Sequence, residues 1–454
     1  MTTGAVAHKG LGQPPQPAQR WRPFTTVPSK RHWTGEVGPE EYANGLARLG
    51  DKPDAAISIY LHLPFCPVRC LYCGCHTLIT HSSSQIDHYL DCLEQEMDLV
   101  LARIGTGREL LQLHVGGGTP NYLNDSQLVR LMEIIGHRFR VLGETEVSIE
   151  CNPRKASAGQ LALLRAIGFR RISFGVQDLQ PDVQKAIGRI HSKELIRDVC
   201  GMARDSGFEY INLDLIYGLP YQTVSSFAET IASIIEMAPD RVSCFAYTHN
   251  PVSNPHQHAL GTDHFPSRAQ RLGLFQRAVD RFTESGYTWV GLDSFVLDTD
   301  DLAIAQDEHR LHRNCIGYTG GPTTYLISFG LGAVGDVDGI LVQNAEHLPE
   351  WTTAVRRGAL PISHGHHLDT TQRSRRDAIL ALICNLRISR EAASDGLPEE
   401  FSHLEEYLAH GLVRTEGEDI LLTRRGRFYL HSLCVEPDAE LRHDRALWPL
   451  LQSI

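Results

Sequence analysis

Between Ile57 and Tyr247 short apolar runs alternate six times with amphipathic stretches, and this alternation constrains the fold more than any other feature. The apolar runs predict strands over Ile57–Leu63, Leu111–Val115, Glu146–Glu150, Arg171–Val176, Tyr210–Ile216 and Arg241–Tyr247. The helical stretches are Ser84–Ile104, Asp125–Phe139, Ser157–Ile167, Pro181–Ile187, Lys193–Ser206 and Thr223–Met237. In the first of these, Ile86, Tyr89, Leu90, Leu93 and Met97 share a face. Asp125 or Ser126 caps the second. Strand–helix alternation with right-handed crossovers gives a parallel sheet. Six units are too few for a closed eight-fold barrel. The predicted fold is therefore α/β, a partial, open (β/α)6 barrel, with its chemistry at the C-terminal strand ends.

The loop after the first strand carries Cys66, Cys70 and Cys73 in Cys-x3-Cys-x2-Cys spacing. Three thiolates on one loop can ligate three irons of a [4Fe–4S] cluster. The fourth iron then keeps an open position where a ligand can bind and react. The alternatives are a structural zinc site, with Cys75 or His76 as fourth ligand, or buried free thiols. The chain's 11 cysteines form one dense cluster and no paired framework, which argues for a metal site in a reducing compartment. A net charge of −11 argues against broad binding to nucleic acid or anionic membranes. Met1–Arg20, rich in Gly, Pro, Gln and Ala, reads as a disordered leader without a signal-peptide core. No run reaches the roughly 18 apolar residues of a membrane span. These observations predict a cytoplasmic, monomeric enzyme.

Further polar residues mark the other strand ends. Gly116–Pro120 is a glycine-rich turn whose N–H groups can hold a carboxylate or ribose edge; such a turn is usually only a turn. Glu150 can accept ribose hydroxyls, or be an exposed loop residue. Gln177 and Asp178 follow the fourth strand. Arg189 and Asp214 can hold a charged amino-acid moiety, Arg189 being otherwise a surface helix residue. Asp214 interrupts an apolar strand, and a buried carboxylate needs a partner. The sixth strand ends at Tyr247–His249.

The predicted division is a leader (1–20), an N-terminal segment packing near the active site (21–56), the barrel (57–251) and a cap domain (252–454). Within the N-terminal segment a helix is expected from Pro39 to Leu49. The cap is expected to be mainly helical, with helices over 266–285 and Thr370–Leu386 and an irregular stretch from Asp293 to Asp338. Residues 400–434 read as helix, hairpin (Gly411–Thr423) and helix, a winged-helix-like unit serving as a structural cap. His364, His366 and His367 read as a solvated loop cluster.

These features resemble the oxygen-independent coproporphyrinogen III dehydrogenase (HemN-like) branch of the radical S-adenosylmethionine (SAM) superfamily. The most specific pieces are Pro64-Phe65-Cys66, Tyr72-Cys73-Gly74-Cys75, Gly116–Pro120, Phe174–Asp178 and Asn212–Pro220. The resemblance implies a [4Fe–4S] cluster on Cys66, Cys70 and Cys73, and two SAM molecules. It places Tyr60, Gly117, Glu150 and Thr248 at the cluster-bound SAM. It places Tyr72, Gly118, Thr119, Gln177, Arg189 and Asp214 at the second. Cys75 matches the family's additional, non-ligand cysteine, and Cys75 and Tyr60 are the catalytic candidates. An electron donor such as flavodoxin or ferredoxin is implied.

The substrate-facing parts depart from the family. Only Arg22, Thr25, Thr26 and Pro28 survive of an N-terminal motif, Ser294 replaces a histidine, and Asp336 replaces an apolar residue near the adenosine. The departures favour methylene transfer from the second SAM to an sp2 carbon of an unsaturated or tetrapyrrole substrate. The product would be C-methylated or, with a partner methyltransferase, cyclopropanated. The alternatives are oxidative decarboxylation of coproporphyrinogen III and a haem-binding, chaperone-like role.

Overall fold

Burial follows the period-two alternation of the strands. In Glu146–Cys151, Val147, Ile149 and Cys151 are buried, while Glu146, Ser148 and Glu150 are partly open. A computed structural model describes residues 26–322, 324–435 and 448–452. Its parallel core has six strands: β1 Ile57–Leu63, β2 Arg108–Gly117, β3 Glu146–Cys151, β4 Arg171–Gln177, β5 Tyr210–Tyr217 and β6 Arg241–Ala246. The linking helices are α2 Ser83–Ile104, α3 Asp125–Gly136, α4 Ala158–Ala166, α5 Pro181–Ala186, α6 Lys193–Asp205 and α7 Val224–Glu236. They follow α1, Pro39–Gly50. Outward strand residues such as Ile149, Phe174 and Leu213 join Leu131, Leu164, Ile196 and Phe227 of the helices in one core. Each such side chain contributes about 1.5–3 kcal/mol on burial.

The polar strand faces line the barrel interior. At its lower end, Ser58 donates to Gln112 (3.2 Å), Gln112 to Glu146 (3.4 Å), and Glu146 pairs with Arg171. Arg171 and Arg241 lie over the Tyr210 ring, and Arg241 grips Asp300 through two bonds of 2.7 and 2.9 Å. This network closes the N-terminal ends of the strands and leaves their C-terminal ends for ligands.

The sheet continues beyond the six units, which corrects two expectations. The described residues between Asp293 and Asp338 include regular elements. They contain strand β8 (Ser294–Leu297), paired with β7 (Tyr287–Val290), a helix Asp301–Asp307, and strands β9 (Tyr325–Phe329) and β10 (Val334–Val337). β9 lies parallel to β1, and β10, β11 (Ile340–Asn344) and β12 (Ile362–His367) add antiparallel. The strand order is β7-β8-β6-β5-β4-β3-β2-β1-β9-β10-β11-β12. The second half of the chain is mainly helical, as predicted, and carries these strands in addition. His364, His366 and His367 sit on β12, not in a loop. His366 is buried, with its ring nitrogens bonded to Thr34 and Gln372.

Helix α3 is capped by Asn124, not Asp125 or Ser126, because Asn124 forms the reciprocal pair with Gln127. Strands Arg387–Ser389, Val413–Glu416 and Asp419–Leu422, with helix Arg424–Val435, form the winged-helix-like unit. Two of its arginines are engaged within the fold: the exposed Arg424 pairs with Asp280 of helix α8 (Arg268–Glu284), and Arg427 lies 3.8 Å over the Trp289 ring. His431 stacks on Phe275 of α8 at 3.7 Å. Among the described residues, no helix is long and apolar enough to cross a membrane.

Candidate active site

The cysteine loop leaves β1 at Pro64 and is pinned on three sides. Strand Phe65–Cys66 pairs with Leu78–Ile79, Leu71 N–H bonds to Ile187 (3.0 Å), and a short helix, Pro255–Leu260, reaches over the loop. From that helix His256 bonds the Cys73 carbonyl (2.8 Å) and Gln257 the Tyr72 carbonyl (3.0 Å). Cys66 and Cys70 are buried, Cys73 is half-buried and Cys75 is exposed. Burial pushes the Cys66 thiol up to about 11, against a contact with Thr119 Oγ1 at 3.2 Å. A hydrogen bond from Cys75 pulls Cys73 down to about 7. Arg189 is buried, with a guanidinium nitrogen 3.6 Å from Cys70 Sγ, so it is not the surface residue that its place near a helix suggests. Three clustered thiols beside a fixed cation are a donor set suited to an anionic iron–sulfur cluster.

The glycine turn after β2 owes its composition to close approach. A Cβ on Gly118 would lie 2.7 Å from the Pro64 carbonyl carbon, and one on Gly116 would lie 2.9 Å from Glu150 Cδ. Glu150 accepts from His114 Nε2 (3.2 Å) and from Gly117 N–H (3.1 Å). Burial alone would raise its carboxyl, but the His114 and Gly117 hydrogen bonds outweigh that and hold it below the ordinary value. Its side chain still has 43% of its surface open, so a fixed carboxylate stays accessible to a ligand.

Tyr60 is oriented by a chain that sequence reasoning missed. Burial lowers His62 to about 4, so its ring is neutral near pH 7. His62 Nε2 lies 2.9 Å from the His76 carbonyl, which can only accept, so the proton sits there. His62 Nδ1 then accepts from Tyr60 Oη at 3.0 Å. The Tyr60 ring stacks on His114 at 5.8 Å. The fold relates both to Tyr60: His62 lies two residues on along the same strand face, and His114 is its register partner on β2.

At the ends of β4 and β5, Gln177 takes the left-handed backbone (φ 73°) after a β-bulge. A non-glycine residue held there costs of order 1 kcal/mol, a strain that clusters at functional sites. Its Oε1 and Arg189 Nε are buried without partners, which leaves both available to a polar ligand. Asp214 has the partners its burial demands: Ser173 donates at 2.8 Å and Asn212 at 2.7 Å. Burial still raises its carboxyl to about 6. Asp178 is a structural anchor instead, fully buried and bonded by Gln222, Thr230 and the Gln180 N–H. Tyr72 packs near Tyr247, and Thr248 is half-buried just beyond β6. His191, buried near Arg189, leaves both ring nitrogens unpartnered and was not singled out from sequence.

A cavity of about 460 Å³ lies beside β9, β10 and β11, lined in part by Thr26, Val27, Cys315, Asp336, Arg376 and Leu380. Asp336 faces it paired with Arg376 (3.1 Å), so its charge is neutralised. Ser294 sits on β8, in register with Ser243 of β6. Arg22 and Thr25 lie outside the described residues.

The model of the radical SAM superfamily matches residues 60–234. The oxygen-independent coproporphyrinogen III oxidase of Escherichia coli is 36% identical over 427 residues, covering 92% of this chain and 93% of that protein. The Pseudomonas aeruginosa protein of the same name is 34% identical, with 91% and 92% covered. The solved structure of coproporphyrinogen III oxidase (HemN) from E. coli, described as a radical SAM enzyme, superposes with a TM-score of 0.84 over 90% of this chain and 95% of that one. The cofactors of this group are a [4Fe–4S] cluster and SAM, two molecules of the latter. The chain belongs to the radical SAM superfamily and is an enzyme of its HemN-like branch.

Proposed function

We propose that this enzyme oxidatively decarboxylates propionate side chains of a tetrapyrrole of the coproporphyrinogen III type. The observation that carries this reading is similarity along the whole chain: relatives so named align over 92% of it, well beyond the cofactor-binding barrel. That similarity outweighs the local departures and reverses the order in which the sequence placed decarboxylation and methylene transfer.

Each propionate would lose a hydrogen atom from the carbon beside the pyrrole. It would then lose carbon dioxide and one electron, leaving a vinyl group, with the electron passing to a one-electron acceptor. Bound cluster and SAM together supply the 5'-deoxyadenosyl radical that takes the hydrogen. Cys66, Cys70 and Cys73 would hold the cluster, and the exposed Cys75 lies beside the set as a fourth, non-ligand thiol. Glu150 and the Gly117 amide would orient the first SAM, with Thr248 at the rim. With its hydroxyl proton held by His62, Tyr60 would keep its oxygen lone pairs free to accept from the ligand. Tyr72, Gly118, Thr119, Gln177, Arg189 and Asp214 would hold the second SAM, using the unpartnered atoms of Gln177 and Arg189.

One observation favours the second reading, methylene transfer to an sp2 carbon: Asp336, which pairs with Arg376, and Ser294 stand where the resemblance leads one to expect an apolar residue and a histidine. The test is anaerobic turnover of the reconstituted protein with coproporphyrinogen III. Matched formation of 5'-deoxyadenosine, carbon dioxide and vinyl product supports decarboxylation. Formation of S-adenosylhomocysteine with a methylated product, and no carbon dioxide, replaces it with the second reading.

A further inference from the structure

Reduction of the cluster requires an electron to reach a loop whose thiols are largely buried, so one face of the protein must admit a donor. Large exposed apolar side chains mark such faces. Three of them surround the cysteine loop: Val68 (65% exposed), Ile190 (67%) and Ile79 (44%). Each is tied to a candidate cluster ligand. Val68 lies between Cys66 and Cys70, and Ile79 is the register partner of Cys66. Ile190 follows Arg189, whose guanidinium is 3.6 Å from Cys70 Sγ. The bond from Leu71 N–H to Ile187 holds the two loops together.

Cations border this apolar surface. Arg69 is exposed and donates to the Thr77 carbonyl, two residues from Ile79. Arg154 is exposed, bonds Asn152 and acts electrostatically on His191, the neighbour of Ile190; the His191 pKa is lowered first by burial, then by Arg189 and Arg154. Lys155 is exposed and sits 5.7 Å over the Tyr122 ring, whose hydroxyl donates to the Thr80 carbonyl beside Ile79. These contacts are a carbonyl, an amide and a ring, not carboxylates. The acids closest along the chain to Ile190, Asp182 and Glu194, lie in the first turns of α5 and α6, where the helix dipole accommodates them. On a chain of net charge −11, a local positive face around an apolar centre gives an acidic partner one preferred approach.

We propose that Val68, Ile79 and Ile190, bordered by Arg69, Arg154 and Lys155, form the docking face for a small, acidic, low-potential one-electron carrier protein. The step moves one electron from the carrier's reduced centre to the cluster and requires no proton. The proposal rests on the cluster assignment above.

The test compares two reductants on the full-length, reconstituted enzyme, reading 5'-deoxyadenosine formation from SAM. One is dithionite, small enough to need no docking face. The other is reduced flavodoxin at sub-saturating concentration. Ile190→Glu combined with Lys155→Glu should slow the flavodoxin-driven reaction at least about tenfold, since a charge reversal at an interface acts on encounter and a buried anchor on lifetime. Iron content and the dithionite-driven rate should stay unchanged. Salt near 1 M, where the Debye length is about 3 Å, should slow wild type more than the variant. Unchanged flavodoxin-driven rates in this variant and in Arg154→Glu would overturn the docking face, as would equal losses with both reductants. Absence of dithionite-driven SAM cleavage in wild type would overturn the cluster assignment as well.

Discussion

Replacing Glu96 with alanine should destabilise the protein by about 3–5 kcal/mol, although Glu96 touches no proposed ligand. Glu96 is buried on α2 and accepts three hydrogen bonds: Gly330 N–H (2.9 Å), Asn344 Nδ2 (2.6 Å) and Trp351 Nε1 (3.1 Å). One carboxylate thus joins α2 to the turn after β9 and to helix Leu348–Arg356. Alanine would leave three buried donors unpaired, at about 1–3 kcal/mol each and less than additively. Glutamine would keep one acceptor and turn an amide donor against another donor, costing roughly half as much. Burial raises the Glu96 carboxyl from 4.5 to about 7 against those hydrogen bonds. The folded state therefore holds its proton more tightly than the unfolded chain. The associated stability is complete below pH 4.5 and is lost as pH rises to about 7, amounting to about 3 kcal/mol. Asp214, raised to about 6, contributes a slope of the same sign. The difference between wild type and Glu96→Gln isolates the Glu96 part. Urea midpoints across this pH range, at one fixed cofactor loading, would measure it. An unchanged pH slope in Glu96→Gln, or an alanine cost below about 1 kcal/mol, would refute the reasoning.

Alanine at Cys66, Cys70 or Cys73 should each abolish cluster-dependent SAM cleavage and lower iron content, whereas Cys75→Ala should keep its iron; equal iron loss in all four would contradict the ligand assignment. Gly116→Ala places a Cβ 2.9 Å from Glu150 Cδ and should displace that carboxylate. SAM affinity should then fall about ten- to hundredfold with the circular dichroism spectrum intact, and unchanged affinity in calorimetry would separate Glu150 from SAM binding.

The parallel core was readable because its strands alternate cleanly and its polar residues fall at strand ends. The region from Asn314 to Val337 was not, because Gly317, Gly320, Gly321, Gly330, Gly332 and Gly335 interrupt any period, and β9 is only five residues long. The cap of α3 was off by one because Asn124, Asp125 and Ser126 are all good caps, and only Gln127 three residues on selects Asn124. Glu96 left a trace, an acid three residues after Leu93 on the apolar face of α2, but its partners lie more than 230 residues away. Asp336 read only as a departure from an apolar residue, because Arg376 meets it only in the fold. Gln177 and Asp214 lie on β4 and β5 where the alternation put them, Arg189 is tied to the cysteine loop only by its contact with Cys70 in the fold, and His62 and His114 emerge only once the inner face of the barrel is known.

The most direct test of the central claim follows one hydrogen atom. Coproporphyrinogen III carrying deuterium on the propionate carbon beside the pyrrole should be turned over by the reduced enzyme with unlabelled SAM. Decarboxylation predicts deuterium in 5'-deoxyadenosine together with an equivalent of carbon dioxide. Unlabelled 5'-deoxyadenosine from that substrate, with label appearing only when the SAM methyl group is deuterated, would contradict the account and establish methylene transfer in its place.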